Sequence, residues 1–221
     1  MRAGRAPDSV RLLAVSKTHP AALLAEAYAA GQTAFGENYV QEAIEKMEAL
    51  VQRLGAEAAR RLEWHLIGPL QSNKTRLVAE RFGWVHTLER EKIARRLSEQ
   101  RPPDMAPLKV LIQVNVSGEA SKSGVAPLEV AALARAVATM PRLELRGLMA
   151  IPEPSDDPAI QRARFRPLRE LYERLRQQGF ALDTLSMGMS GDLEAAIAEG
   201  ATLVRVGTAI FGARETAKSA A

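Results

Sequence analysis

Short runs of apolar, mostly β-branched residues recur along the chain and alternate with longer, often alanine-rich stretches. The short runs are typical of buried strands, and apolar residues spaced three or four apart in the longer stretches are typical of helices. This pattern predicts eight strands, at Arg11–Ser16, Thr33–Gly36, Glu63–Ile67, Trp84–Leu88, Lys109–Asn115, Leu143–Ala150, Thr184–Met187 and Leu203–Val206. It predicts helices between them, at Pro20–Ala30, Tyr39–Leu54, Asn73–Arg81, Arg90–Gln100, Pro127–Thr139, Pro158–Gln178 and Gly191–Glu199, with a short one near Thr208.

Strands that alternate with helices indicate a parallel sheet covered by helices. Eight such units make a (β/α)8 barrel, and 221 residues lie near the lower end of that fold's size range. An open doubly wound sheet is the competing architecture, but no Gly-x-Gly-x-x-Gly follows the first predicted strand. No shift in composition marks a domain boundary. We therefore predict one α/β domain over residues 1–221, a single (β/α)8 TIM-like barrel.

Composition excludes several classes of protein. Apolar residues make up 47% of the chain, which is too many for a disordered protein. Cysteine is absent, so a disulfide scaffold, a thiolate metal site and a cysteine nucleophile are excluded. No apolar run is long enough to span a membrane, and the N-terminus lacks the apolar segment of a signal peptide. These features predict a cytoplasmic protein.

The formal net charge is +4, and several arginines lie between Arg162 and Arg176. A nucleic-acid-binding patch is one interpretation. The other is the solvated face of a helix, because an apolar stripe at helical spacing runs between the arginines: Phe165, Leu168, Leu171, Tyr172 and Leu175. No aromatic stacking platform accompanies the charge, so we favour the solvated face and expect no nucleic-acid partner.

Polar residues and glycines gather at the carboxyl ends of the predicted strands, where barrels of this kind place their sites. They include Lys17, Glu37, Asn38, Gly68, Glu89, Asn115, the segment Ser186–Ser190, and Gly207 with Thr208. A lysine at the inner end of an apolar strand is unusual, since lysine is almost never fully buried without a partner. Burial lowers the pKa of lysine and frees the amine as a nucleophile for a Schiff base. The alternative is an ammonium group that reaches solvent at the barrel rim.

The last two strands are followed by loops of small residues, Ser186–Asp192 and Gly207–Gly212. Loops at these two places often bind phosphate through backbone N–H groups. Arg205 points into the barrel if it shares a face with Leu203. Facing a pyridine nitrogen, a guanidinium would leave that nitrogen unprotonated, because it only donates hydrogen bonds. The alternative is an ion pair with Glu37 or another carboxylate at the rim.

An amine, a phosphate-binding loop and an inward arginine together suit pyridoxal 5′-phosphate (PLP). At this point the chain resembles the pyridoxal phosphate homeostasis (YggS/PROSC) family. The matching segments run from near one end of the chain to near the other: Leu13–Pro20, Phe35–Glu42, Trp64–Lys74, Ile112–Ser117, Glu119–Gly124, Arg146–Pro152, Leu185–Ser190 and Val204–Gly212.

This resemblance implies a barrel like the N-terminal domain of bacterial alanine racemase, of PLP fold type III, without the second β domain. It implies Lys17 as the lysine that forms the Schiff base, or internal aldimine, and Arg205 opposite the pyridine nitrogen. The phosphate would be held by Ser186, Gly207 and Thr208, and Asn38 would lie beside the ring. The family is regarded as handling the cofactor inside cells, so PLP-dependent apo-enzymes are expected partners of a monomer or weak dimer.

Two departures favour a binding protein over a racemase, which needs acid–base groups on both faces of the substrate carbon. The resembling racemases take a tyrosine from a second domain, and no such domain is expected here. They also place a histidine where this chain has Ile151. Of its tyrosines, only Tyr39 lies near the predicted mouth. We expect no catalytic residue, with a slow PLP-dependent amino-acid racemase as the alternative.

Three further interpretations stay open. His19, His65 and His86 could bind a metal, but no His-x-His spacing or carboxylate cluster supports one, so we expect none. The loop Ser117–Val125 could be a lid over the mouth. Within it Lys122, and elsewhere Lys74, could offer a second site for PLP.

The family usually carries a further helix before the first strand, which Met1–Asp8 is too short to form.

Overall fold

Eight parallel strands close into a barrel in which each strand pairs with its neighbours in chain order and β8 pairs with β1. The computed structural model describes residues 4–119 and 123–212. Its strands are β1 (Arg11–Val15), β2 (Ala34–Glu37), β3 (Glu63–Leu66), β4 (Trp84–Leu88), β5 (Leu108–Gln113), β6 (Leu143–Met149), β7 (Thr184–Ser186) and β8 (Leu203–Val206). The predicted (β/α)8 barrel is confirmed, and every strand bound lies within two residues of its prediction.

Helices follow the strands and cover the outside of the barrel. They are α1 (Ala21–Ala29), α2 (Val40–Leu54), α3 (Ala56–Ala59), α4 (Thr75–Arg81), α5 (Glu91–Gln100), α6 (Val130–Ala138), α7 (Pro158–Gln177), α8 (Leu193–Ala198) and α9 (Thr208–Phe211). The sequence pattern misses α3 because four residues are too few to show a helical period. It also misses short 3₁₀ turns at Pro7–Ser9 and Ser72–Lys74. Among the described residues, no helix is long and apolar enough to cross a membrane.

The longest helix, α7, shows how a local pattern becomes packing. It begins at Pro158 after Asp157, whose side chain accepts a hydrogen bond from the backbone N–H of Ala159 at 2.8 Å. The predicted apolar stripe of this helix is buried. Three of the arginines beside it converge on the buried carboxylate of Glu199: Arg162, Arg166 and Arg169, at 2.9, 3.5 and 3.0 Å.

The apolar core forms one large layer between strands and helices and two small clusters apart from it. One small cluster joins Leu13, Ala34 and Leu203, and the other joins Trp84, Leu111 and Met149. The side chains of successive strand residues point to opposite faces. Since Leu203 packs on Leu13 apart from the outer layer, Arg205 shares its inward face, as predicted.

The closest strand contact lies between β6 and β7, where Gly147 pairs with Thr184. A Cβ atom on Gly147 would lie 1.7 Å from the carbonyl oxygen of Thr184. The three nearest atoms all belong to the Thr184 backbone, which cannot move aside as a flexible side chain would. Glycine therefore sets the distance between these two strands.

We expect Gly147→Ala to lower the free energy of unfolding by about 1–3 kcal/mol or more, because the added methyl forces the strands apart. Urea denaturation measures the change. Gly83→Ala is the matched control, since its nearest neighbour would be 3.8 Å away. Equal denaturation midpoints for the two variants would contradict this account of the β6–β7 contact.

Candidate functional site

A cavity of about 280 Å³ opens at the carboxyl ends of the strands. Its volume is close to the lower end of small-molecule sites, roughly 300–1,000 Å³. Five of the six predicted cofactor-binding residues line it: Lys17, Asn38, Arg205, Gly207 and Thr208. The other lining residues are Val15, His19, Ile67, Ile151, Met189, Ser190 and Gly191. The structure thus brings together residues from both ends of the chain.

Lys17 lies in the turn that follows β1 and is half-buried. The next residue, Thr18, has a φ of 66°, which is unusual for a residue other than glycine. Two hydrogen bonds hold this conformation. The backbone N–H of Thr18 donates to Glu42 Oε1 at 2.5 Å, and its hydroxyl donates to the carbonyl of Lys17 at 2.6 Å. The backbone at the amine-bearing residue is therefore fixed by α2.

Beneath this turn lies a buried ion-pair network centred on Lys46 of α2. Its Nζ donates to the Ser16 carbonyl at 2.7 Å, to Glu37 Oε1 at 2.8 Å and to Glu42 Oε1 at 2.6 Å. Ser16 Oγ also donates to Glu37 Oε1, at 2.6 Å. Burial raises the pKa of the Glu37 carboxyl, although Lys46 and Ser16 act in the opposite direction. The network ties β1, β2 and α2 together directly behind Lys17.

Sequence reasoning missed Lys46, although a signal was present. Lys46 stands three residues after Ala43 and four before Leu50, both fully buried. It therefore lies on the apolar face of α2, where an unpaired lysine is almost never found. What the pattern could not supply is the identity of its partners on β1 and β2.

Arg205 is buried, with its guanidinium at the base of the cavity. Nη1 donates to the carbonyl and the hydroxyl of Ser186 at 2.9 and 2.8 Å, and Nη2 donates to the Ala150 carbonyl at 3.0 Å. These bonds use three of the five N–H groups of a guanidinium. Burial lowers the pKa of Arg205 to about 10, so the group stays charged at neutral pH. The hydrogen-bond partners of Arg205 are neutral oxygens. The alternative of an ion pair with Glu37 is not seen, because the Glu37 carboxylate is bound to Lys46.

Ser186 lies behind Arg205 and is fully buried, so it does not line the cavity. Its hydroxyl accepts from Arg205 and contacts His86 Nδ1 at 3.1 Å. Its role as a phosphate ligand stays a prediction, because in this arrangement its oxygens serve Arg205. Ser190 and Gly191, four and five residues further along the same segment, are the ones that reach the cavity.

The predicted phosphate loops differ in the charge near them. The carboxylate of Asp192 accepts a hydrogen bond from the Met189 N–H at 2.6 Å, so it is bound within its own loop. At the other loop, Gly207 and Thr208 open α9. The first N–H groups of a helix have no intrahelical acceptor and can donate to an anion. Residues of both loops line the cavity, so both can offer N–H donors to an anion there.

Asn38 is held in place by the loop that follows β3. A Cβ atom on Gly68 would lie 2.2 Å from the Asn38 carbonyl oxygen, so only glycine permits this approach. Thr87 Oγ1 donates to the Gly68 carbonyl at 2.7 Å and fixes the loop from the other side. Gly68 thus acts on the site through Asn38.

Several other candidate residues lie away from the cavity wall. Lys74 ends the 3₁₀ turn before α4, and the exposed Tyr39 precedes α2. Glu89 Oε2 accepts from the Gly124 N–H at 3.0 Å, and Val125 forms a bridge with Val114. These contacts anchor the end of the proposed lid, Ser117–Val125. The segment 120–122, with Lys122, lies outside the described residues.

The three histidines occupy two different places. His19 lines the cavity and packs against Phe211, with ring centroids 5.0 Å apart. His65 and His86 are fully buried inside the barrel, where His65 Nδ1 and His86 Nε2 are 2.8 Å apart. In residues 4–119 and 123–212, no group of three or more His, Asp or Glu side chains could hold a metal ion.

Taken together, the cavity suits a small, flat, anionic ligand with an electrophilic carbon. An amine lies at one wall, a charged donor at the base, and two loops of small residues offer N–H and hydroxyl groups to an anion. Asn38 and His19 add polar edges, whereas Ile67, Ile151 and Met189 add apolar surface.

Comparisons with known proteins agree with this chemistry. Residues 2–215 match the family described as alanine racemase, N-terminal domain. The chain is 62% identical over 213 residues to a pyridoxal phosphate homeostasis protein of Pseudomonas aeruginosa, covering 96% of this chain and 88% of that one. It is 58% identical over 219 residues to a protein of the same name from Vibrio cholerae, with coverages of 99% and 92%. Among solved structures, PipY of Synechococcus elongatus with PLP bound is similar at a TM-score of 0.83 and 40% identity, over 96% of both chains.

The ion-pair network behind Lys17 generates a stability prediction. In Lys46→Met the buried Glu37 loses its cation, and we expect the free energy of unfolding to fall by about 3–5 kcal/mol near neutral pH. Lys46 acts to lower the pKa of the buried Glu37 carboxyl, so its removal raises that pKa further. In the variant a protonated Glu37 favours folding, and this contribution is lost as the pH rises toward the higher pKa. The loss should therefore be larger at about pH 8 than at about pH 5 in urea denaturation.

The control is the double variant Lys46→Met with Glu37→Gln, which removes both charges and should recover most of the lost stability. A loss that is equal at both pH values, or a double variant as unstable as the single one, would count against a buried charge pair.

Proposed function

Because the chain belongs to the pyridoxal phosphate homeostasis proteins, within the alanine racemase N-terminal domain family, we propose that it binds PLP in the barrel mouth and serves PLP homeostasis. The resemblance indicated by the sequence motifs is thereby confirmed. One observation carries the proposal: Lys17, Arg205 and the small-residue loops after β7 and β8 line one cavity.

The residues present fit the cofactor's chemical groups. When bound, PLP supplies an aldehyde that condenses with the Lys17 amine and releases water. Arg205 has N–H groups left to face the ring nitrogen. Thr208 and Gly207, together with Ser190 and Gly191, are assigned to the phosphate. Asn38 lies at the cavity wall, where it can contact the ring. Ser186 is assigned to Arg205 in this proposal.

Arg205 favours a carrier over a fast catalyst. A guanidinium that stays charged at neutral pH can only donate, so the ring nitrogen facing it accepts and carries no proton. An unprotonated ring withdraws electrons less strongly than one paired with a carboxylate. The protein thus holds the cofactor while giving little help to carbanion chemistry.

The cavity wall adds a second argument for a carrier. Ile151 lines the cavity, at the position where the resembling racemases place a histidine. An isoleucine side chain neither donates nor accepts a proton, so one acid–base contribution is missing. Lys17 and His19 do line the cavity, and an amine and an imidazole can both transfer protons. Slow racemisation is therefore the second candidate function.

Lys17→Ala tests the attachment. We expect the variant mixed with PLP to lack the visible absorption band and to retain no covalent adduct after borohydride reduction. Circular dichroism should show an unchanged fold, because the amine is not part of the apolar core. Lys74→Ala is the control and should keep both signals. A reducible adduct that persists in Lys17→Ala would identify another attachment site.

Carrier and racemase differ in what the loaded protein does. We expect no racemisation of single-enantiomer amino acids at the rate typical of enzymes, about 1 per second or more. We also expect a PLP-dependent apo-enzyme to gain activity when mixed with the loaded protein, since such enzymes are the proposed recipients. Chiral chromatography and an activity assay measure the two outcomes. Racemisation at an enzymatic rate would contradict the carrier function.

A further inference from the structure

A chain of polar side chains runs through the barrel interior from its amino-terminal end to the base of the cavity. Arg205 Nη1 and Ser186 Oγ are 2.8 Å apart, Ser186 Oγ and His86 Nδ1 are 3.1 Å apart, and His86 Nε2 and His65 Nδ1 are 2.8 Å apart. His65 Nε2 then faces Glu63 Oε2 at 3.7 Å. Ser186 and both histidines are fully buried. The cavity is reached by Arg205 alone, so the cofactor chemistry above leaves the other four residues without a role.

Both ends of this chain fix the direction of its hydrogen bonds. Arg205 can only donate, so the Ser186 oxygen accepts, and its own proton is free to point to His86 Nδ1. At the other end, His65 Nε2 makes no hydrogen bond among the described residues, and the Glu63 carboxylate lies 3.7 Å from it. The negative charge of Glu63 favours the tautomer of His65 that carries its proton on Nε2. His65 Nδ1 then accepts from His86 Nε2, so both ends favour the same pair of tautomers.

The surroundings keep the two imidazoles neutral and Glu63 ionised. Burial lowers the pKa of both His65 and His86, and for His86 the charge of Arg205 adds to the effect. Burial opposes ionisation of Glu63, but hydrogen bonds from Trp84 and Arg11 hold its pKa well below the usual value. Lys109 Nζ, 3.8 Å from Glu63, adds a further positive charge. The chain therefore joins a buried cation to a carboxylate through neutral groups.

Aromatic packing holds the far end of the chain rigid. The His65 ring stacks on Trp84, with centroids 5.1 Å apart and an interplanar angle of 8°. The indole N–H of Trp84 donates to Glu63 Oε1, and Arg11 donates to Glu63 Oε2 at 2.5 Å. The carboxylate thus has fixed donors of its own, and the imidazole next to it has little freedom to rotate.

We propose that Glu63, His65, His86 and Ser186 are positioning residues that lock the Arg205 guanidinium with its remaining N–H groups directed at the ring nitrogen of the cofactor. This inference rests on the proposed function. It assigns to this chain of polar side chains the task of keeping the ring nitrogen unprotonated. Ser186 acts through Arg205 rather than on the phosphate.

The test uses the whole protein, loaded with PLP that is labelled with ¹⁵N in the ring. The ¹⁵N chemical shift reports the protonation of the ring nitrogen, and the ³¹P shift reports the phosphate. We expect Ser186→Ala and His86→Leu to move the ¹⁵N resonance, leave the ³¹P resonance in place and weaken PLP binding about tenfold, as for a lost hydrogen bond to a charged group. His86→Asn, which keeps an acceptor near the Nδ1 position, should restore part of the ¹⁵N shift.

Leu97→Ala is the control, because Leu97 is fully buried in the outer apolar layer and belongs to neither small interior cluster. Its ¹⁵N resonance should stay that of the unaltered protein. The proposal is overturned if Ser186→Ala moves only the ³¹P resonance. It is also overturned if the Ser186 and His86 variants fold but keep both the ¹⁵N shift and the PLP affinity of the unaltered protein. Should His86→Leu fail to fold, Ser186→Ala and His86→Asn still decide. An unaltered protein that takes up no PLP would instead overturn the proposed function itself.

Discussion

The site depends on the pairing that closes the barrel, between β1 and β8. Arg11, Leu12, Leu13 and Ala14 pair in register with Leu203 through Val206. Since all strands are parallel, this pairing puts the turn after β1 and the loop after β8 at the same end of the barrel. Lys17, near the start of the chain, and Arg205, near its end, share a cavity only for this reason. An open sheet with the same elements would leave them at opposite edges.

Closure also creates an interior in which charges must be paired, and the barrel meets this constraint in two ways. Behind Lys17, opposite charges meet directly, with Lys46 bonded to Glu37 and Glu42. Around Arg205, neutral oxygens of Ser186 and Ala150 accept instead. In the first arrangement, the charge of Lys46 is balanced by carboxylates, and Lys46 does not line the cavity. In the second, Arg205 lines the cavity and, within the described residues, has no carboxylate bonded to it. This difference favours Arg205 as the buried cation that acts on a ligand.

Much of the fold could be predicted because its signals are local. All eight strands are runs of apolar residues that stand out in any short window, and α7 carries an apolar stripe over its whole length. The four-residue α3 gave no such signal. Lys17, Asn38, Gly207 and Thr208 were found because polar residues at the ends of parallel strands gather at one face. Lys46 and the paired histidines were not found, because their partners lie on other strands.

The sequence by itself determined the barrel, the family and the set of residues that can carry the chemistry, since apolar periodicity and motif spacing are properties of neighbouring residues. Only the tertiary structure decided which oxygens surround Arg205. It placed Ser186 behind that guanidinium and Ser190 at the cavity, although the two serines stand in one short segment. The physical reason is that Ser186 is the last residue of β7 and is buried, whereas Ser190 lies in the loop beyond the end of that strand. Which buried polar group meets which is therefore set by strand register and barrel closure, and neither is encoded in a local pattern.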